Sequence, residues 1–178
     1  TYYYNILSPL AVFLMLIVGG LASLLCKRIR LPFFSFFLDH FERKEVRCTF
    51  PGRGMLFFFV GVLLVMQLFE KDIALAAIMI LSLGDSFSHI IGERFGQIKN
   101  IFNGKSRKLF EGTVAGTFFG FLGALIFVPL AEALVGSFVA MIIEVIDIDL
   151  NGSPIDDNLL VPLAAGTTMF LLRAYLGI

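Results

Sequence analysis

The stretch IALAAIMILSLGDSFSHIIGERFG, residues 73–96, decides how the rest of the chain is read. Its first eleven residues are apolar except for Ser82. Gly84-Asp85-Ser86 then puts a carboxylate into the run, and the segment turns polar by Glu93-Arg94. The apolar character is continuous rather than alternating, which predicts a helix and not a strand. The run Ile73 to Ile91 approaches the roughly 20 residues needed to cross the hydrocarbon core of a bilayer.

The composition agrees with this stretch. Of 178 residues, 58% are hydrophobic and 16% charged, against about a quarter charged in soluble domains, and the mean hydropathy is +0.90. Lys and Arg number 14 and so do Asp and Glu, which excludes a polybasic nucleic-acid binder. The apolar content excludes intrinsic disorder, and two cysteines, Cys26 and Cys48, exclude a disulfide scaffold. The expected class is all-α: a polytopic membrane helix bundle with about six transmembrane helices plus an interfacial amphipathic helix. A membrane barrel would need alternating segments of about ten residues, and none is present.

Working outward from residues 73–91, the other spans are Asn5–Cys26, Met55–Phe69, Glu111–Leu130, Ala133–Ile146 and Leu159–Ile178. Residues 31–46, LPFFSFFLDHFERKEV, are too short and too charged to cross. Their phenylalanines suit a helix lying in the interface. Few residues join the spans 111–130 and 133–146, so these form an antiparallel hairpin. Gly112, Gly116 and Gly120 make a small-xxx-small ridge, read as helix packing that also permits pairing into a homo-oligomer. The chain starts at Thr1 with no cleavable signal pattern, and a preceding N-terminal span is expected to be missing.

Basic residues set the orientation. Residues 27–53 carry Lys27, Arg28, Arg30, Arg43, Lys44, Arg47 and Arg53. Residues 93–111 carry Arg94, Lys99, Lys105, Arg107 and Lys108. Both segments are therefore read as cytoplasmic. The loop between the fifth and sixth spans then shares that side, and it is acidic, with Asp147, Asp149, Asp156 and Asp157, and Glu144 just inside the membrane.

Three elements on that side carry chemistry. Asp85 lies near the cytoplasmic end of an apolar helix, where a carboxylate is costly unless paired or bound to a cation. Ser88 and His89 follow at helical spacing, and Gly92 and Gly96 leave the face bare enough for a ligand to approach. The alternative for Asp85 is a cap at a helix break. Next, Lys105, Arg107 and Lys108 precede Glu111 at a helix start, an arrangement that favours phosphate. The alternative is a loop touching lipid headgroups. Finally, Asp156-Asp157-Asn158 open the last helix. Two carboxylates and a carboxamide suit Mg2+, or one acid takes a proton from a hydroxyl nucleophile. An acidic N-cap is the plainer reading, as a solvent-facing lip is for Glu144. Together these elements suit phosphoryl or nucleotidyl transfer at the membrane surface, with a cytosolic nucleotide and a lipid carrying a hydroxyl or phosphate.

The segments GDSFSHIIGERFG (84–96), GKSRKLFEGTVAG (104–116) and IDDNLLVPLAAG (155–166) resemble the CTP-dependent polyprenol kinase family, which includes dolichol kinase, phytol kinase and the CTP-using diacylglycerol kinase. They are also similar to phosphatidate cytidylyltransferase. The resemblance covers about residues 42–178. It implies a multi-helix membrane enzyme that moves the γ-phosphate of CTP to a lipid alcohol with Mg2+. It further implies catalytic roles for Asp85, Glu144, Asp156 and Asp157, and CTP contacts from Gly92, Arg94, Gly96, Lys105, Arg107, Lys108 and Glu111. Asp85, Asp157 and Asn158 would hold the metal.

The second motif reads Lys108-Leu109-Phe110-Glu111, where members carry Thr or Ser before the Glu. The third is closer to dolichol and phytol kinases than to the cytidylyltransferase. The implied location is a cell membrane or, in a eukaryote, the endoplasmic reticulum, with the site facing the cytoplasm. A CDP-lipid synthase and a non-catalytic transporter with charges along its path are the competing functions.

Overall fold

The computed structural model describes residues 8–26, 52–98, 109–146, 149–150 and 153–177. Six helices account for most of them: α1 (Pro9–Cys26), α2 (Arg53–Leu68), α3 (Lys71–Phe95), α4 (Phe110–Ala124), α5 (Leu130–Val145) and α6 (Asp157–Leu176). Between α5 and α6 lies a minimal antiparallel pair, Asp149–Leu150 with Ser153–Pro154. The expected interfacial segment 31–46 lies outside the described residues.

The chain divides into two compact units, Thr1–Leu63 and Leu64–Ile178. In the first, Gly52 takes a positive φ of 77° and releases the chain into α2. Arg53 covers the Phe57 ring at 5.4 Å, a cation–π contact in the first turn of that helix. Gly19 lets α1 approach Leu56 of α2.

The second unit is a closed ring of four helices, in which α3 packs on α4, α4 on α5, α5 on α6, and α6 back on α3. The pairing is antiparallel. Gly120 of α4 faces Ile80 of α3, while Gly116 faces Gly84 and Gly112 faces Ser88. On the next pair, Gly120 meets Ser137 and Gly116 meets Met141 of α5, and Gly136 of α5 meets Met169 of α6. The up-and-down course puts two connections at one end of the ring, the one following α3 and the one following α5. This is the shared end that the charge pattern requires.

The core is built from small side chains at close approach. Ala74, Ala76, Ala77, Ala124, Ala133, Ala140 and Ala165 are fully buried, among larger fillers such as Ile73, Ile80, Met141 and Met169. The glycine ridge explains how α4 gets so close. A Cβ on Gly116 would sit 2.6 Å from Met141 Sδ and 2.8 Å from the Gly84 carbonyl oxygen, and one on Gly112 2.5 Å from the Ser88 carbonyl oxygen. Small-residue contacts of this kind are how helices associate where burial of apolar surface supplies little drive.

The helices depart from the sequence expectation in three ways. The helix expected over 73–91 runs further, from Lys71 to Phe95, and it is the one described helix that is both long and apolar enough to cross a membrane. The helix expected over 111–130 ends at Ala124, because residues 125–127 form a turn and Pro129 precedes α5. At 1.5 Å per residue, α4 and α5 are roughly 23 Å long, short of the roughly 30 Å hydrocarbon core. Nor is there a helix break after Gly84: Asp85 lies inside a continuous helix, ten residues or about 15 Å before Phe95.

The third departure is a widened turn. Residues Ile80–Asp85 form a π-helical segment inside α3. The stripe facing α4, namely Ile80, Gly84, Ser88 and Gly92, advances four residues at a time, and in a regular helix of 3.6 residues per turn it would rotate steadily away. The wider π turn absorbs part of that drift. Such bulges recur at functional sites, and Asp85 is the last residue of this one.

Candidate active site

The end of the ring where α3 and α5 finish and α4 and α6 begin carries the described residues of the three sequence motifs. The first and second motifs meet along α3 and α4. Gly84 and Gly116 touch near the π segment, and Gly92 lies against Gly112, its would-be Cβ 3.6 Å from the Gly112 Cα. Gly92 is thus covered by a helix, and its small size serves this packing. Phe87 stacks on Phe119 with centroids 3.7 Å apart and planes 12° from parallel, a further contact between α3 and α4.

The connection after α3 is tied at its base. Glu111, in the first turn of α4, accepts hydrogen bonds at Oε1 from the backbone N–H of Gln97 at 3.0 Å and of Ile98 at 3.1 Å, and at Oε2 from Ile98 at 3.3 Å. The Phe110 N–H donates to the Ile98 carbonyl at 3.0 Å. Both ends of the basic segment are therefore pinned together, with the carboxylate doing the pinning. Gly96 fits beneath Leu109 in the same corner. Lys105, Arg107 and Lys108 lie outside the described residues, and Arg94 is exposed in the last turn of α3.

The first motif meets the acidic residue of α5 through Ser88. Its Oγ donates to Glu144 Oε1 at 3.2 Å. Both groups are buried, Ser88 being 7% and Glu144 4% exposed. Ser88 and His89, expected to share a face with Asp85, point apart. His89 is exposed and pairs with Glu93 at 3.5 Å.

The acid pair at the start of α6 is partly structural. Asp156 is the N-cap with extended backbone, and its Oδ1 accepts from the Asn158 N–H at 3.2 Å and from Asn158 Nδ2 at 2.9 Å. This satisfies an orphan donor of the first turn. Asp157 Oδ1 accepts from the same N–H at 3.1 Å. Beside this end, between α5 and α6, lies an apolar groove of about 330 Å3 lined by Val139, Ile143, Leu160, Leu163, Ala164 and Thr167.

The opposite end of the ring holds a second charged cluster. Glu132, fully buried at the start of α5, receives Arg173 Nε at 3.2 Å and Nη2 at 2.8 Å. Arg173 also reaches Glu70 at 2.8 Å and Asp72 at 2.7 Å. The available signal was a lone Arg in the last apolar helix, since such a charge needs an acidic partner on a neighbour.

The described residues contain no cluster of three or more His, Cys, Asp or Glu arranged to hold a metal ion. Mg2+ is held in nucleotide enzymes by one or two carboxylates together with substrate phosphates, and Asp85, Asp157 and Asn158 offer hard oxygen donors of that type.

No family model and no solved structure matches the chain. Among curated proteins, it is similar to the probable chloroplastic phytol kinase of Triticum aestivum, with 29% identity over 137 residues. The match takes in 67% of this chain and 44% of that protein, so the chain spans less than half the length of the relative it resembles.

Proposed function

We propose that this chain is the catalytic membrane portion of a lipid-alcohol kinase, transferring the γ-phosphate of CTP to a polyprenol-like or phytol-like alcohol with Mg2+. The observation that carries the reading is the buried Ser88–Glu144 contact. It joins the first motif to the acidic end of α5, on the side where the basic connection leaves α3 and the acid pair opens α6. The likeness to a phytol kinase supports a kinase acting on a lipid.

A membrane setting is part of the same reading. Large apolar side chains are exposed around the ring, among them Val114 and Phe118 on α4, Ile126 in the turn that follows it, Leu134 and Phe138 on α5, and Phe170 on α6. A bilayer accounts for such a surface. If the six apolar runs all cross, the basic-residue pattern makes the motif end cytoplasmic.

In this mechanism Lys105, Arg107 and Lys108 take the nucleotide phosphates, and Glu111 holds the base of their segment. Bound Mg2+ supplies charge neutralisation on the phosphate oxygens. Asp156 Oδ1 takes both the N–H and the Nδ2 of Asn158, while Asp157 Oδ1 shares the N–H alone of these two donors, so Asp157 is the member of the pair assigned to metal or proton. Asp85 or Glu144 accepts the hydroxyl proton of the lipid at a carboxylate oxygen. The hydrocarbon chain lies in the groove beside Leu160 and Ile143.

The test is incubation of purified protein with CTP labelled at the γ-phosphate, Mg2+ and a panel of lipid alcohols. Label in the lipid supports the reading. Folded protein that labels none of them, or that releases pyrophosphate, overturns it.

A further inference from the structure

We propose that Ser88 is a positioning residue, whose hydroxyl holds the Glu144 carboxylate in its working orientation; this rests on the kinase reading of the same site. Other hydroxyls of the ring bond to their own helix. Thr117 Oγ1 donates to the Thr113 carbonyl at 2.8 Å and Ser137 Oγ to the Leu134 carbonyl at 3.1 Å. That is the ordinary way for a helix to satisfy a buried hydroxyl. Ser88 instead donates across to another helix, to a residue 56 positions later in the chain.

The local packing fixes that direction. The Ser88 Cβ lies where a side chain on Gly116 would collide at 2.9 Å, and the Ser88 carbonyl is pressed against Gly112 at 2.5 Å from a would-be Cβ. Two glycines of α4 thus hold the serine from behind, and its hydroxyl faces α5. Glu144 gains a donor whose position is set by helix packing, so little reorganisation is needed when the carboxylate takes up its role. The serine touches neither substrate in this arrangement and acts through Glu144.

The experiment compares Ser88→Ala, Ser88→Cys, Glu144→Leu and the Ser88→Ala/Glu144→Leu double variant in detergent, by kinase rate and by thermal unfolding. Cysteine keeps the γ atom while donating weakly. The expected result for Ser88→Ala is a kcat lower by about ten- to a hundredfold, with the KM values for nucleotide and lipid within about twofold of wild type. Ser88→Cys follows Ser88→Ala. In the Glu144→Leu background, Ser88→Ala lowers neither the rate nor the Tm further, the non-additivity expected of coupled residues.

Full activity in Ser88→Cys, or additive losses in rate and Tm, would overturn the proposal. If the wild-type protein phosphorylates no lipid alcohol, the kinase reading fails. The Tm cycle then decides by itself whether Ser88 holds Glu144.

Discussion

Replacing Arg173 with methionine removes the guanidinium that bridges Glu70, Asp72 and the fully buried carboxylate of Glu132. Glu132 accepts two N–H groups from this arginine, at 3.2 and 2.8 Å, and is 0% exposed. Methionine retains the apolar stem and deletes the guanidinium. Glu132 is then left buried with its charge uncompensated, which costs about 3–5 kcal/mol in measured cases of broken buried pairs. Glu70 contributes far less. It is 70% exposed, and exposed pairs are worth about 0–1 kcal/mol. For a chain of this size, 1 kcal/mol moves Tm by roughly 2–4 °C.

Arg173→Met should therefore lower Tm by roughly 6–20 °C, and Glu70→Gln by about 4 °C at most. The assay is thermal unfolding in detergent by circular dichroism. The double variant Arg173→Met/Glu132→Met should recover most of the loss, because it removes the buried charge along with its partner. An Arg173→Met protein that melts within about 2 °C of wild type, or a double variant no better than the single, would refute this electrostatic reasoning.

Other substitutions separate catalytic from structural roles. Asp85→Asn should abolish lipid phosphorylation while leaving Tm within about 2 °C of wild type, since Asp85 is only partly buried in α3; activity and melting of one preparation check this. Asp156→Ala should lose about 1 kcal/mol from the missing N-cap and keep substantial activity, whereas Asp157→Ala should lose activity. Parallel rate and unfolding measurements on the two variants check that contrast. Glu111→Ala unties Gln97 and Ile98 and should raise the KM for CTP with little change in the KM for lipid, read from initial rates. Gly116→Leu drives a side chain into Met141 and the Gly84 carbonyl, and should prevent recovery of folded protein by size exclusion.

Much of the arrangement was legible in the sequence. The glycines at 112, 116 and 120 were read as packing, and they pack. The antiparallel hairpin of α4 and α5 follows from their short connection. The common end of the two charged connections follows from the alternation of helices, because each helix reverses direction.

Other features depended on contacts that periodicity does not carry. The π segment has no sequence marker beyond a glycine next to a charge in a long helix, and its need arises from a stripe at i, i+4, i+8 that must stay against α4. Gly92 looked open to a ligand because its partner, Gly112, lies on a different helix. Ser88 was noticed only as a neighbour of Asp85, and its actual partner is 56 residues away. Asp156 shows the reverse case: a cap and a metal ligand carry the same sequence signature, and the hydrogen bonds to Asn158 show the capping role.

The most direct measurement follows the fate of the phosphate. Protein, Mg2+ and a lipid alcohol such as phytol are incubated with CTP labelled either at the γ or at the α position. Phosphoryl transfer predicts that the γ label enters the lipid fraction while the α label stays in CDP. The α label in the lipid with pyrophosphate released, or no label in any lipid from folded protein, would contradict a lipid-alcohol kinase.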